Sequence, residues 1–489
     1  MSTNAEDTGT DGTAGRPAGS GRPASIDAAT VGSGPAPRAL PLIPAFDADH
    51  PPQAALVADC VHCGFCLPSC PTYSLWGQEM DSPRGRIDLI KEGLEGEPLS
   101  VSAVRHLDQC LGCLACVSSC PSGVRYDRLL EDTRGQIERR VQRPRAERLL
   151  RKLIYALFPH PRRLRALRGP LLLYQRSGLR RLVARSGLLK LLPAPVQVLE
   201  TLAPRLGPMP SLPEHTPAVG TRRRTVGLIT GCVQGAFFPD VNAATVRVLA
   251  AEGCDVVVPA AQPCCGALSA HGGRRQEALR YARRMIECFE AAGVETVVAN
   301  AAGCGSNLKE YVDQLADDPA WAQRAAAFST VVRDVSELLD ELGPVAPMHP
   351  LPVTITYQDA CHLGHAQGVR AQPRRLLQRI PDLQLREIAD GQMCCGSAGV
   401  YNILHPDTGR ELGERKAQAV VDTGAELMVT ANPGCWMQVA TALGARGQRM
   451  PVAHTVQVLD ASIRGVPVDE LTTQGLDGPG AALPPVGSR

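Results

Sequence analysis

Two cysteine runs near the N-terminus constrain this chain more than any other feature of its sequence. The first run reads CVHCGFCLPSCP at 60–71, and the second reads CLGCLACVSSCP at 110–121. Both have the spacing Cys-x-x-Cys-x-x-Cys-x-x-x-Cys-Pro, which holds two [4Fe–4S] clusters in bacterial ferredoxins. Three such thiolates can surround one face of a cubane, and the fourth crosses to the other cluster. The sequence therefore predicts a pair of [4Fe–4S] clusters.

The crossing of the fourth thiolate assigns a set of four ligands to each cluster. The first cluster is expected on Cys60, Cys63, Cys66 and Cys120. The second is expected on Cys110, Cys113, Cys116 and Cys70. Gly64 and Gly112 would let backbone amides approach the inorganic sulfides, and such N–H···S bonds help to set the potential. Zinc is the alternative, but two zinc sites would need only Cys-x-x-Cys pairs and no third cysteine.

Composition narrows the remaining classes of function. The chain has 489 residues, which suits two to four domains. Its net charge of +2 and its 4% of aromatic residues argue against a nucleic-acid partner. Neither a secretory signal nor an apolar run of membrane-spanning length is present, so we expect a cytoplasmic protein. Its 18 cysteines are then expected to be metal ligands rather than disulfides.

The C-terminal half contains an internal repeat. TVGLITGC at 225–232 corresponds to VTITYQDAC at 353–361, PCCGA at 263–267 to MCCGSAG at 393–399, and VVANAAGC at 297–304 to MVTANPGC at 428–435. The offsets between matching cysteines are 129, 130 and 131 residues. Three matches at nearly one offset predict duplication of a domain of roughly 120 residues.

Each repeat contributes four cysteines at matched positions. They are Cys232, Cys264, Cys265 and Cys304 in the first repeat, and Cys361, Cys394, Cys395 and Cys435 in the second. Four thiolates suffice for a metal ion or a cluster, so further clusters are one interpretation and buried packing cysteines are the other. Cys254 and Cys288 have no counterpart in the other repeat, and we interpret both as core cysteines.

The patterning within each repeat predicts an α/β fold. Short β-branched runs such as TVGLIT and ETVVAN alternate with amphipathic stretches such as NAATVRVLAAEG. This alternation favours parallel strands, and the cysteine motifs follow strands, where open α/β sheets bind ligands. The expected fold class is α+β / α/β multidomain: a helical two-cluster ferredoxin-like domain followed by a duplicated α/β domain with parallel strands.

Composition shifts divide the chain into six parts. The predicted boundaries are a disordered tail at 1–48, the ferredoxin-type domain at 49–140, a basic helical linker at 141–221, the repeats at 222–345 and 346–465, and a disordered tail at 466–489.

The basic linker is the most unusual part of this division. From Arg143 to Leu192 it has fourteen Lys or Arg residues and one acid, Glu147, with leucines between the arginines. Three interpretations stay open: a solvated linker, a docking surface for another subunit, or a surface for the anionic inner face of the cell membrane.

Taken together, the motifs resemble those of the iron–sulfur subunit of glycolate oxidase, also called glycolate dehydrogenase. The residues that carry the likeness are CVHCGFCLPSCPTYSLWGQEMDSPRGRI at 60–87, CPSGVRY at 120–126 and the paired CCG motifs. CCG domains are shared with heterodisulfide reductase and anaerobic glycerol-3-phosphate dehydrogenase subunits. In heterodisulfide reductase each CCG domain usually ends in Cys-x-x-Cys, whereas Asn307 and Gln438 stand at the last position here. This departure argues against non-cubane clusters and against disulfide reduction.

The resemblance implies an electron-transfer role without catalytic residues in this chain. A separate FAD-containing subunit would oxidise glycolate to glyoxylate, and this chain would pass the electrons singly to quinone or another membrane acceptor. The sequence shows neither a G-x-G-x-x-G after a strand nor a P-loop, so no flavin site is visible. The alternatives are an iron–sulfur subunit for glycerol-3-phosphate or lactate oxidation, a heterodisulfide reductase-like subunit, and a redox-sensing scaffold protein.

Overall fold

The computed structural model describes residues 45–475. Most of the two predicted tails therefore lies outside the described residues. Within the second tail, however, the chain forms a helix at Val468–Gly475 whose Leu471 is buried. Predicted disorder is wrong for this stretch, because Leu471 supplies an apolar anchor against the second repeat.

The N-terminal block is entirely helical. Its helices are α1 (Ala54–Ala58), α2 (Pro71–Trp76), α3 (Pro83–Leu94), α4 (Val101–Asp108), α5 (Ala115–Ser118) and α6 (Tyr126–Arg140), with a short 3-10 helix at Glu79–Asp81. Proline at the first position starts α2 and α3, and the Ser82 hydroxyl caps α3 by accepting from the Gly85 N–H at 3.0 Å. Ile90, Leu107 and Leu129 form a small core between the helices. The cysteine runs occupy the loops around that core.

The basic linker forms four helices and a 3-10 turn. They are α7 (Arg145–Leu157), α8 (Pro161–Arg176), α9 (Leu179–Ser186), the 3-10 turn at Leu188–Leu191, and α10 (Ala194–Leu202). Left-handed glycines at 178 and 187 separate α9 from its neighbours, as glycine does at helix ends.

Each repeat contains one sheet, and the two sheets have the same strand order. The strands are β1 (His215–Thr216), β2 (Arg224–Ile229), β3 (Cys254–Val257), β4 (Thr296–Ala299), β5 (Val332–Asp334), β6 (Thr354–Gln358), β7 (Gln384–Arg386), β8 (Leu427–Thr430) and β9 (Val452–His454). The order β3-β2-β4-β5 in the first sheet matches β7-β6-β8-β9 in the second, and these strands are parallel. Only β1 departs from the predicted parallel pattern, since it pairs with β3 in the antiparallel sense.

Helices cover both faces of the two sheets. In the first repeat they are α11 (Val233–Phe237), α12 (Pro239–Ala251), α13 (Ala267–His271), α14 (Arg275–Ala292), α15 (Ala302–Lys309), α16 (Tyr311–Gln314), α17 (Ala322–Val331) and α18 (Val335–Leu342). In the second they are a π-helical turn at His362–Ala366, α19 (Ala371–Gln378), α20 (Tyr401–Leu404), α21 (Pro406–Asp422), α22 (Pro433–Ala445), α23 (Thr455–Arg464) and α24 (Val468–Gly475). Strands β4 and β8 are buried along their whole length, as the continuous β-branched and apolar runs predict.

The two repeats share one hydrophobic core. Helix α12 of the first repeat packs on α23 of the second, and α18 packs on α19 in the same way. Arg247 on α12 forms an ion pair with Asp460 on α23, with 2.6 Å between Nη2 and Oδ2. His454 Nε2–H donates to the carbonyl of Asn300 at 2.8 Å, which joins the end of β9 to the end of β4. This arrangement places the carboxyl ends of both sheets near each other.

No helix within residues 45–475 is both long enough and apolar enough to span a bilayer.

The buried His454 gives the fold a predictable response to acid. Its Nδ1 accepts the Val456 N–H at 3.2 Å while Nε2–H binds Asn300, so both bonds require the neutral ring. Burial lowers the pKa of His454 to about 4, below the unfolded value of about 6.5. The unfolded chain therefore binds more protons between these values, and stability falls as the pH drops from about 6.5 towards 4. The loss should approach about 3 kcal/mol.

We expect the His454→Gln variant to lack this component of the acid sensitivity. The stability difference between the wild type and the variant should shrink as the pH falls through that window. Anaerobic urea unfolding at a series of pH values measures it, and parallel curves for the two proteins would refute the role of His454.

Candidate functional site: four groups of cysteine thiols

The two ferredoxin-type loops share one strained backbone shape. In both loops the third and fifth residues have positive φ: 55° at His62 and 84° at Gly64, then 65° at Gly112 and 63° at Leu114. Glycine occupies only one of these positions in each loop, so His62 and Leu114 adopt a conformation that side chains disfavour. The Gly112 N–H also donates to Cys110 Sγ at 3.4 Å. Such strain held in place by its surroundings is typical of ligand-binding loops.

The first predicted ligand set lies near the surface. Cys63 is exposed and Cys60, Cys66 and Cys120 are half-buried, and all four line one small pocket beside Cys116. Burial raises the pKa of the Cys60 thiol, and the nearby Cys120 raises it further. Cys120 of the second run therefore lies next to Cys60 of the first.

The second predicted ligand set is more deeply placed. Cys70, Cys110 and Cys113 are buried. Burial raises the pKa of the Cys116 thiol well above its usual range, and Cys113, Cys110 and Cys70 add to the rise. Cys70 of the first run thus lies among the thiols of the second. The structure brings each predicted set together, while the assignment of clusters to these sets stays a prediction.

A buried cation that the sequence analysis missed stands beside the second set. Arg86 is 1% exposed; its Nε donates to the His106 carbonyl at 2.7 Å and its Nη1 to Thr72 Oγ1 at 3.1 Å. Burial raises the pKa of Cys110, but the charges of Arg86 and Arg134 oppose it. Together with hydrogen bonds from the Gly112 N–H and the Tyr126 hydroxyl, they lower the net pKa. Asp81 accepts from His106 Nδ1 at 2.7 Å and balances the charge. The segment DSPRGRI that supplies Asp81 and Arg86 was the available signal.

In each repeat, the thiols of the four cysteines at matched positions come together just after the carboxyl ends of the strands. Cys264 and Cys232 have Sγ atoms 3.8 Å apart, and the thiols of Cys264 and Cys304 stabilise ionised Cys265. Those two hydrogen bonds hold the pKa of Cys265 well below its usual range. The second of the two adjacent cysteines is therefore the favoured thiolate in the first repeat.

The second repeat reproduces this pattern at matched positions. Hydrogen bonds from the thiols of Cys394 and Cys435 lower the pKa of Cys395 well below its usual range, despite complete burial. Lys416, whose Nζ donates to the carbonyls of Asp390 and Gly391 at 3.1 Å, adds a positive charge nearby. The pKa of Cys361 is also held well below its usual range, by hydrogen bonds with Cys394 and then with His362. Four converging thiols that include stabilised thiolates fit a four-cysteine metal or cluster site better than unrelated packing cysteines do.

All eight of these cysteines line a single cavity of about 280 Å³. The cavity lies between the two repeats and the N-terminal block, which contributes Leu111, Leu130 and Arg134 to its wall. Burial raises the pKa of the Cys113 thiol well above its usual range, and Cys361 of the second repeat adds to the rise. The buried ferredoxin-type set and the second repeat's set are therefore neighbours.

Equivalent residues of the two repeats hold the N-terminal block against this cavity. His271 Nδ1 lies 2.7 Å from Glu131 Oε1 on α6, and 130 residues later Tyr401 donates from its hydroxyl to the Gln109 carbonyl at 3.0 Å. Glu310 stands beside the first contact, where burial and then Glu131 raise its pKa to about 7. Neither contact was visible in the sequence, because His271 and Tyr401 differ in type and Glu131 lies in a separate domain.

The positions where a fifth cysteine is absent hold buried amides. Asn307 Nδ2 donates to the carbonyl of Cys265 at 2.8 Å, and Gln438 Nε2 donates to the carbonyl of Gly409 at 2.6 Å. These amides support the backbone around the thiols.

Three family models match parts of the chain. A model described as "4Fe-4S dicluster domain" matches residues 56–124, one described as "Cysteine-rich domain" matches 226–309 and 355–440, and one described as "Glycolate oxidase iron-sulfur subunit, linker region" matches 146–203. The chain is 41% identical over 402 residues to the "Probable glycolate oxidase iron-sulfur subunit" of Bacillus subtilis, covering 80% of this chain and 89% of the relative. It is 36% identical over 417 residues to the "Glycolate oxidase iron-sulfur subunit" of Escherichia coli, covering 84% and 95%.

The chain belongs to the glycolate oxidase iron–sulfur subunit family. The match over residues 146–203 carries particular weight, since the linker model is specific to that family by its description, whereas cluster and cysteine-rich domains are shared more widely. A "Lactate utilization protein A" from an Exiguobacterium species is 29% identical over 240 residues, which is 49% of this chain and 98% of that relative. Membership of the family also supports iron–sulfur cluster binding by this chain.

Substitution of the favoured thiolates tests the two cysteine-rich sites. We expect Cys265→Ala and Cys395→Ala each to lower both the bound metal per chain and the turnover of the assembled complex, because each change removes a stabilised thiolate from its group of four. The measurement is metal analysis of anaerobically purified protein together with acceptor-linked activity.

Cys288→Ala is the matched control, because Cys288 lies on α14 outside all four groups. If both variants equal this control in metal content and in activity, the eight cysteines are packing residues only.

Proposed function

We propose that this chain is the electron-transfer subunit of a glycolate oxidase complex. In this proposal an FAD-containing partner subunit oxidises glycolate to glyoxylate, and two [4Fe–4S] clusters on the assigned cysteines carry the electrons towards the quinone pool at the cell membrane. Further clusters in the cysteine-rich repeats belong to the same proposal, as do the predicted domain boundaries. The complex is expected at the inner face of that membrane.

The observation that carries this proposal is a continuous series of thiol groups from the surface to the interior. Exposed Cys63 belongs to the first set, and Cys66 of that set lies close enough to Cys70 for the two thiols to interact electrostatically. Cys70 belongs to the buried second set, whose Cys113 interacts with Cys361 at the cavity. An electron entering near Cys63 would thus have neighbouring redox sites as far as the second repeat.

The division of chemistry between subunits follows from the electron count. Oxidation of glycolate to glyoxylate releases two electrons and two protons, and a hydride acceptor such as a flavin takes the electrons as a pair. Iron–sulfur clusters transfer single electrons, so this chain would carry the pair in two successive steps. Its residues hold and tune the one-electron carriers, as Arg86 does beside Cys110, and take no part in breaking the C–H bond.

The extent of the similarity favours glycolate over lactate as the substrate of the complex. The lactate utilization relative matches about half of this chain, at 49%, whereas the glycolate oxidase subunits match 80% and 84%. The glycolate oxidase linker model also matches residues 146–203 of the basic linker.

Serine substitutions in the two loops separate the contributions of the two clusters. Anaerobically purified protein should contain at least about eight irons per chain, with the EPR signal of interacting [4Fe–4S]⁺ centres after reduction. Cys63→Ser and Cys113→Ser should each remove about four irons and abolish glycolate-dependent reduction of quinone. Reduction of the partner's flavin by glycolate should persist in both variants, because the C–H chemistry lies upstream.

The control is Cys288→Ser, which should keep the iron, the EPR signal and the turnover. Zinc in place of iron under anaerobic expression, or quinone reduction that survives loss of either cluster, would contradict the proposed role. Turnover with lactate but not glycolate would keep the electron-transfer role and replace the substrate.

A further inference from the structure

We propose that the basic linker presents a surface that binds an anionic lipid bilayer directly. The leucine–arginine surface, as we define it, comprises Leu173, Leu179, Leu182, Leu188, Leu191, Leu192, Val196 and Leu199 with Arg176, Arg181 and Arg185. The inference deepens the proposed function by naming how the subunit meets a membrane acceptor. The role of this surface in electron transfer rests on the proposed function, whereas lipid binding itself depends only on these residues.

Exposed apolar side chains are concentrated in this part of the molecule. In the part of the chain that the structure describes, 18 large apolar side chains are exposed, and 11 of them lie between Leu149 and Leu199. Leu191 is 81% exposed and Leu173 is 71% exposed. Single exposed leucines are ordinary, but a dense group of them indicates an interaction surface.

The helix α9 shows how the sequence produces this exposure. Leu179 and Leu182 are three residues apart on one stripe, and both are exposed, as are Arg181 and Arg185 beside that stripe. The remaining face carries Arg180, whose Nε donates to Glu200 Oε1 of α10 at 2.9 Å. The apolar stripe therefore faces outward next to a row of cations, while a polar contact attaches the helix to the protein.

Helix α7 repeats the same arrangement. Leu149 and Leu153 are exposed beside exposed Arg148 and Lys152, whereas Ile154 on another face is buried. Each of these two helices thus has exposed leucines next to exposed cations. A helix that only joined two domains would have no reason to expose its leucines.

Three helices of the linker meet at Glu200. The Tyr174 hydroxyl of α8 donates to Glu200 Oε1 at 3.4 Å, and Arg180 of α9 binds the same oxygen. Leu173, Leu179 and Leu199 each adjoin one of these three bonded residues in sequence. These three exposed leucines therefore lie close to the point where α8, α9 and α10 meet.

Many of the cations in the linker are available to an external partner. Arg143, Arg151 and Arg180 are held in ion pairs, and Arg168 is buried against backbone carbonyls. Eight others are exposed and have no ion pair among residues 45–475: Arg145, Arg148, Lys152, Arg162, Arg165, Arg176, Arg181 and Arg185. Free cations beside exposed leucines complement an anionic headgroup layer over an acyl interior.

Composition favours lipid over a protein partner. Protein interfaces are enriched in aromatic residues, but none of the aromatic side chains between residues 143 and 199 is exposed. Interfacial amphipathic helices instead combine Lys and Arg with leucine. A protein partner, the flavin subunit, is the alternative occupant of this surface, and the experiment below tests it.

Vesicle sedimentation tests the proposal with the full chain, alone and in its complex. The probes are vesicles of phosphatidylcholine with phosphatidylglycerol and vesicles of phosphatidylcholine alone. We expect binding to the anionic vesicles that falls steeply with salt, because the Debye length shortens to about 3 Å at 1 M. Arg176→Glu, Arg181→Glu and Arg185→Glu together should weaken it about a hundredfold or more. Arg180 is left unchanged because it binds Glu200.

The matched charge control changes Arg280, Arg284 and Arg449 to Glu. These three arginines are exposed, have no ion pair in the described part of the chain and lie outside the linker, so their loss alters the net charge equally.

A second pair of variants separates the apolar contribution. Leu179→Ser with Leu182→Ser should weaken binding roughly tenfold even at high salt. Val101→Ser with Val345→Ser, also exposed, should leave it unchanged.

Three outcomes would overturn the inference: no binding to anionic vesicles, binding that salt does not weaken, or equal weakening by the charge control. Loss of the flavin subunit on copurification of the linker variants would make the surface a subunit interface instead. Glycolate-dependent reduction of a water-soluble acceptor is read out separately. If the wild-type complex does not reduce that acceptor with glycolate, the proposed function is refuted, but the measurement of lipid binding still stands.

Discussion

Burial of the thiols is the constraint on which the rest of the structure depends. A metal ligand must be a thiolate, yet burial opposes ionisation, and it raises the pKa of Cys113 and Cys116 well above the usual range. The fold compensates locally in different ways. Arg86 supplies a buried positive charge beside Cys110, whereas neighbouring thiols stabilise Cys265 and Cys395. The loops of the N-terminal block and the strand ends of the repeats bring these charged or hydrogen-bonding groups close to the buried thiols.

Duplication explains how two such sites come to share one cavity. The two sheets have the same strand order, and helices α12 and α18 of the first repeat meet α23 and α19 of the second in exchanged pairs. Such exchanged pairs are expected when two similar domains are related by an approximate two-fold axis. The cysteine-bearing ends of both sheets then face the same cavity. The N-terminal block breaks the symmetry, since His271 and Tyr401 occupy matched positions but meet different partners.

Residue spacing was informative where the cysteines of a group lie close together in the sequence or recur at a fixed offset. The cysteine runs, the offset of about 130 residues and the β-branched runs predicted the groups of neighbouring cysteines, the repeats and the buried strands. Long-range contacts were out of reach, because nothing in the sequence pairs Glu131 with His271 or Cys113 with Cys361. The helix Val468–Gly475 was missed because its sequence surroundings are rich in Gly and Pro, whereas its packing through Leu471 and Val468 against the second repeat is a long-range contact.

The position of the N-terminal block has a consequence for how the protein matures. Cys110 and Cys113 are 8% and 7% exposed, and Cys113 adjoins Cys361 across the boundary with the second repeat. If this set holds the predicted cluster, iron and sulfide would need to reach thiols that the folded protein buries. Under that prediction, cluster insertion would precede docking of the block onto the repeats or follow its transient release. By contrast, exposed Cys63 would leave the first predicted set accessible without any such rearrangement.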